Sequence, residues 1–165
     1  MEAVVKKVLA MRKVKVAEAA KAAKDTAVTA ASQAVSTGAK HLVLQLNLPA
    51  SVSGKAMPEA YTAIKAAHPS LACLLLAPDA DAGKCSVYTE VPKDVSKMLS
   101  ASEWLKCAVG VMGGKGGGKP ERAAGSGPDV TKVADAVKAA NDYAASCLAA
   151  AVSYTHLTLP TILLV

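Results

Sequence analysis

The chain has 165 residues and a formal net charge of +6, and 52% of its residues are hydrophobic, yet only 3% are aromatic, with no Phe and one Trp. That apolar content excludes a wholly disordered chain, and the length limits it to one domain with room for a helical extension. Outside its aliphatic strands the hydrophobic content is largely alanine, so a helix-heavy α/β domain around a modest core is expected.

The charge is unevenly placed. Residues 1–24 hold seven Lys/Arg against two Glu, and residues 97–122 hold five Lys/Arg against two Glu. The remaining segments, 25–96 and 123–165, each carry one net negative charge. Two basic blocks suit a polyanionic partner, although solubility alone would also use them.

Residues 2 to about 36, rich in Ala and Lys and lacking Gly and Pro, predict one long helix or two abutting ones. Val4, Val8, Met11 and Val14 form its apolar stripe; the strand-like KVKV stretch predicts a break near Val14. Gly38 is the expected stop. HLVLQLNL, residues 41–48, alternates, with Leu42, Leu44, Leu46 and Leu48 on one face, and predicts a strand ended by Pro49. Residues 56–67 predict a helix, closed by His68-Pro69. LACLLLA, residues 71–77, is continuously apolar and predicts a strand buried on both faces. PDADAG, residues 78–83, is turn chemistry, and residues 84–91 alternate again, so these two strands form an antiparallel hairpin. The strands at 41–48 and 71–77, joined across a helix, are expected to run parallel.

Residues 94–100 and 101–112 predict two helices, the second with Ser102 as N-cap and with Trp104, Leu105, Ala108, Val109 and Met112 on one buried face. Lys106 points elsewhere. Seven of the eleven glycines then fall between 113 and 127. The stretch 113–128 is expected to be irregular. Asp129 should cap a final helix running to about Ala149.

Cys73, Cys85, Cys107 and Cys147 form no CxxC pair and suit a reduced set of small core residues. His41, His68 and His156 are dispersed and offer no metal-ligand spacing, so no metal site is expected. No apolar signal-like segment opens the chain, and no stretch is long and apolar enough to cross a membrane. The uncharged segment 153–165, SYTHLTLPTILLV, follows a helix that has completed its pattern. It reads as a non-native, adaptor-like tail.

The one segment that carries chemistry is GGKGGGKP, residues 113–120: five glycines, two lysines and a proline. An irregular loop of this kind is costly to order, and a bound anion would offset that cost. Main-chain N–H groups of Gly113, Gly114, Gly116, Gly117 and Gly118 could converge on phosphate oxygens, with Lys115, Lys119 and Arg122 supplying charge. Lys106 precedes the segment and adds to it. Three readings compete beside a plain Gly/Lys linker. A P-loop is suggested by Gly113, four residues, then Gly118-Lys119, but Pro120 stands where the metal-holding hydroxyl is needed. A clamp on a nucleic-acid backbone needs neither metal nor base, and few aromatics argue against a single-strand stacking platform. A structural or dimerising piece is the third reading.

From ASEW (101–104) through GGKGGGKP, and in LVLQLNL (42–48), DADAGK (79–84) and VPKDV (91–95), the chain resembles the C-terminal domain of alanyl-tRNA synthetases, within the DHH-associated family, in a form that looks eukaryotic. The resemblance covers roughly residues 36–150. It implies a helical arm over 1–37 and a tRNA-binding domain over 38–152. It also implies a fragment of an ATP-dependent ligase, with no catalytic residues and no cofactor of its own, in the cytoplasm. Its partners would be alanine tRNA, gripped at the elbow, the upstream aminoacylation and editing domains, and a second copy through the arm. The residues carried over are Gly113, Gly114, Lys115, Gly116, Gly117, Gly118, Lys119 and Pro120. After the proline the family continues with an Asp-Met-Ala-Gln-like stretch, whereas this chain has Glu121, Arg122, Ala123 and Ala124. Basic residues of the arm, Lys6, Lys7, Arg12, Lys13 and Lys15, would track further backbone or simply form a solvated face.

Overall fold

Helix α1 (Glu2–Ser36) runs unbroken through the KVKV stretch, because lysines and valines also tolerate helix when no Gly or Pro intervenes. The structure is a computed structural model and describes residues 1–46, 48 and 50–156. It ends α1 as the sequence predicts: Gly38 adopts φ +79°, its N–H reaches the Val35 carbonyl, and the Ala39 N–H reaches the Ala34 carbonyl. This is the paired C-terminal closure that a left-handed glycine permits. The valine stripe, however, is not core. Val4, Val8, Met11 and Val14 are all exposed, and α1 is buried instead at Ala23, Ala27 and Ala31.

Strand β1 (His41–Gln45) is shorter than its alternation suggests; Asn47 and Pro49 lie outside the described residues. Helix α2 (Ala50–Ala67) begins earlier than expected and contains Pro58 in its middle, where the ring leaves the Gly54 carbonyl without its i→i−4 donor. Strands β2 (Ala72–Asp79) and β3 (Lys84–Glu90) pair antiparallel, and β1 pairs parallel with β2. Between β2 and β3, Asp79 Oδ1 accepts the Asp81 and Ala82 N–H groups, and Gly83 takes φ +61°.

Helix α3 (Lys93–Ser96) is shorter than the predicted 94–100. Helix α4 (Ala101–Val111) takes Ser100, not Ser102, as N-cap, and without a side-chain capping bond. Its first N–H is met instead by the Pro120 carbonyl at 2.8 Å, so an orphan donor of the helix start is satisfied from another element.

The main correction concerns residues 113–128. They are not irregular: β4 (Lys115–Gly118) and β5 (Arg122–Gly127) form an antiparallel hairpin. β5 also pairs with β3, giving a five-stranded sheet in the order β1-β2-β3-β5-β4. Asp129 then caps a short 3-10 turn by accepting the Thr131 N–H, and α5 (Val133–His156) continues past the predicted end. Of the suspected tail, residues 157–165 lie outside the described residues.

The fold is therefore α/β, a mixed sheet flanked by helices after a long N-terminal helix. Alternate residues of β2 face opposite cores: Ala72, Leu74 and Leu76 pack with α4 and α5, and Cys73, Leu75 and Ala77 pack with α1 and α2. That is why LACLLLA shows no alternation. Trp104 is fully buried in the first core, with its Nε1 donating to the Ala140 carbonyl at 2.8 Å. All four cysteines are free thiols, Cys73 and Cys85 buried and Cys107 and Cys147 half-buried. Burial pushes the Cys85 thiol up to about 11 and Cys73 up to about 12.

Candidate nucleic-acid interface

Most glycines of the GGKGGGKP segment have reasons inside the chain. Gly113 ends α4: it takes φ +65°, its N–H meets the Gly110 carbonyl at 3.1 Å, and the Gly114 N–H meets the Val109 carbonyl at 2.9 Å. Gly114, Gly116 and Gly118 sit too close to neighbouring chain for a side chain. A Cβ on Gly114 would lie 2.2 Å from the Ser126 carbonyl oxygen, on Gly116 2.8 Å from Gly125 Cα, and on Gly118 2.4 Å from the Arg122 carbonyl oxygen. Gly125 and Gly127 are equally crowded, by Gly116 Cα and by the Met112 side chain. Helix α4 thus lies directly on the hairpin, its Leu105, Val109 and Met112 replacing the missing side chains. Gly117 differs: nothing lies within 4 Å of its Cβ position.

The hairpin closes through Pro120 and Glu121. The Lys119 N–H donates to the Arg122 carbonyl at 2.8 Å, and the Arg122 N–H returns to the Lys119 carbonyl at 3.1 Å. The turn is pinned from outside by the Val91 N–H on the Glu121 carbonyl and the Ala101 N–H on the Pro120 carbonyl, both at 2.8 Å. Lysines 115 and 119 are therefore displayed on a braced β-hairpin, not on an unsupported loop.

In an antiparallel pair, residues that exchange both bonds alternate with residues that do not. Counting from the Lys119/Arg122 pair along the register, Gly117 and Lys115 bond to β5, while Gly116 and Gly118 turn their N–H and C=O groups away from it. No strand pairs with the outer edge of β4 among the described residues.

Lys106, Lys115 and Lys119 are exposed, and none forms an ion pair among the described residues. The structure groups them around two recesses. One, about 370 Å³, is lined by Lys106, Val109, Gly110, Gly114, Lys115 and Gly116. The other, about 520 Å³, is lined by Ser96, Lys97, Lys119, Pro120 and Glu121. Lys97 is a fourth cation at this surface. Its only signal was membership of the basic block 97–122, since its approach to Lys119 arises from the fold.

Arg122 is occupied differently. Its Nε donates to the Tyr88 hydroxyl at 2.5 Å, its guanidinium carbon lies 5.5 Å from the Tyr88 ring centre, and Glu90 Oε2 is 3.5 Å away. Tyr88 in turn donates to Glu90 at 2.5 Å. Burial, aided by that bond to Glu90, pushes the Tyr88 hydroxyl up to about 12. The forked contact expected from Arg122 is thus partly committed within the sheet, and Glu90 offsets its charge. The GxxxxGK pattern runs through a hairpin that follows a helix, not through the strand–loop–helix of a P-loop. No group of three or more His, Cys, Asp or Glu that could hold a metal occurs among the described residues. No helix there is long and apolar enough to cross a membrane.

The chain belongs to the DHHA1 domain family, whose model matches residues 3–146. Its curated relatives include alanine–tRNA ligases. The cytoplasmic enzyme of Bombyx mori is 40% identical over 66% of this chain and 11% of its own length. That of Drosophila melanogaster is 39% identical over 64% of this chain and 11% of its own length. The chain thus spans about a tenth of these relatives. Among solved structures, the C-Ala domain of Aquifex aeolicus alanyl-tRNA synthetase aligns with a TM-score of 0.47 and 21% identity, covering 59% of this chain and 82% of that one.

Proposed function

We propose that the chain acts as the tRNA-binding C-terminal module of an alanine–tRNA ligase. The observation that carries this is a braced hairpin displaying Lys115 and Lys119, flanked by Lys97 and Lys106, none of them ion-paired among the described residues, in a DHHA1 chain similar to alanine–tRNA ligases. Unpaired ammonium groups around exposed main chain suit phosphate oxygens, and phosphate contacts position a partner without reading its bases. In this reading the arm is residues 1–37, the binding domain 38–152, and the segment 153–165 takes no part.

The partner would be alanine tRNA, held at its elbow. Aminoacylation and editing would belong to parts of the ligase that this chain does not span, so the module would need no cofactor and perform no catalysis. The two insect relatives are cytoplasmic by name, and the proposal puts this chain in the same compartment. A second role, association of two copies, is favoured by the exposed Val4, Val8, Met11 and Val14 on α1; sedimentation of wild type against Val8→Lys would test it, with loss of dimer expected.

The test of RNA binding is a titration of the chain against full-length alanine tRNA and against an acceptor-stem minihelix, at several salt concentrations. Preference for the full tRNA supports elbow binding. Equal, steeply salt-dependent binding to both would leave a nonspecific clamp, and no binding to either would remove the proposal.

A further inference from the structure

The geometry points to one particular seat for the RNA backbone: the groove between α4 and the outer edge of β4. The inference rests on the tRNA-binding reading and specifies which atoms make contact. Three observations converge there. First, the edge of β4 presents the N–H and C=O groups of Gly116 and Gly118 with no strand opposite them among the described residues. Unpaired edge groups need a partner, and N–H groups between glycines meet an anion without side-chain obstruction. Second, Lys106 and Lys115 both line this groove, which holds about 370 Å³. Third, Gly110 lines it too.

Gly110 is the informative residue. It lies within α4 at an exposed position, with ordinary helical φ and nothing within 4 Å of its Cβ position. A helical glycine of this kind costs close to 1 kcal/mol relative to alanine, and none of the described residues requires it, unlike its neighbours Gly113, Gly114 and Gly116. A Cβ at residue 110 would project where a strand of phosphates passing between Lys106 and the β4 edge has to run. Gly54 has the same clearance, but on α2, against the opposite core. The charge of the groove selects the occupant: two lysines with no carboxylate among the lining residues fit a phosphodiester backbone.

The test measures affinity of the full chain for alanine tRNA at fixed salt in three proteins: wild type, Gly110→Gln and Gly54→Gln. Gly54 is likewise an exposed helical glycine with open space at its Cβ position, but it lies on α2, away from the groove. Both variants should fold, and both should melt at or above the wild-type temperature. The expected result is a loss of about tenfold or more in Gly110→Gln, with Gly54→Gln within about twofold. Lys106→Glu should reproduce the Gly110→Gln loss by charge instead of bulk. Wild-type affinity retained in Gly110→Gln overturns the groove while leaving tRNA binding intact, and an equal loss in Gly54→Gln overturns it too, because the loss would then not depend on the groove. Dimers in sedimentation that Gly110→Gln disperses, with RNA affinity unchanged, would make this edge a protein–protein contact and equally overturn the proposal. No RNA binding by wild type removes the tRNA-binding reading and the groove with it.

Discussion

Gly116 stands opposite Gly125 across the β4–β5 pair, and a Cβ on either would lie within 2.8 Å of the other's Cα. The obstruction is backbone, which cannot swing aside as a side chain can. Gly116→Ala should therefore destabilise the domain by about 1–3 kcal/mol, seen as a lower denaturant midpoint. Gly117→Ala, one residue on but facing open space, should change stability by no more than about 0.5 kcal/mol. Equally small effects at both positions would show that the segment tolerates side chains and that Gly116 is not held against Gly125 and Leu105.

This pair also shows how far the sequence could be read. The alternation at 41–48 and 84–91 and the unbroken apolar run at 71–77 were legible because each strand's pattern reflects which of its faces is buried. The β4–β5 hairpin was not, because its glycines carry no hydrophobic pattern. Gly114, Gly116, Gly125 and Gly127 let Leu105, Val109 and Met112 approach, a requirement that exists only once α4 is docked. The lysines of the site were legible as residues, but their setting was not: Lys97 joins Lys119 through the fold, and Arg122 turns toward Tyr88 and Glu90. The stripe on α1 misled because periodicity records amphipathicity and is silent on what covers the apolar face.

Trp104 is the anchor between α4 and α5. It is fully buried, and its Nε1 donates to the Ala140 carbonyl at 2.8 Å. Trp104→Phe removes that donor and leaves a void beside α5. A loss of roughly 1–3 kcal/mol is expected from the combined hydrogen-bond and cavity terms, measured by chemical denaturation. An unchanged midpoint would mean that α5 is held independently of this contact.

His41 gives the fold a pH dependence. It is half-buried on the edge strand, with its ring edge-on to Trp104 at 6.3 Å between centres. Burial lowers its pKa below the ordinary value of 6.5, against a smaller opposing effect from its bond to Asn141. The unfolded chain therefore takes up the proton first. Stability should be full above about pH 6.5 and fall as the pH drops through that value, levelling off below the folded pKa. Thermal melts between about pH 5 and 8 should show the fall in wild type and a flatter profile in His41→Gln. Parallel profiles would assign the dependence to other groups.

Lys115 and Lys119 bear on the RNA contact itself. Both are exposed and form no ion pair among the described residues, so removing them breaks no salt bridge found there and should leave the melting temperature unchanged. Each phosphate neutralised by a lysine contributes roughly one unit to the slope of log affinity against log salt. The double variant Lys115→Ala/Lys119→Ala should accordingly bind alanine tRNA more weakly and with a slope shallower by about two. A slope reduced by about one would leave a single lysine at the interface, and Lys115→Ala alone would identify which, since Lys115 lines the groove beside α4 and Lys119 the recess with Lys97. An unchanged slope would place both lysines outside the interface, leaving Lys97, Lys106 and the basic residues of α1 as the cations to test next.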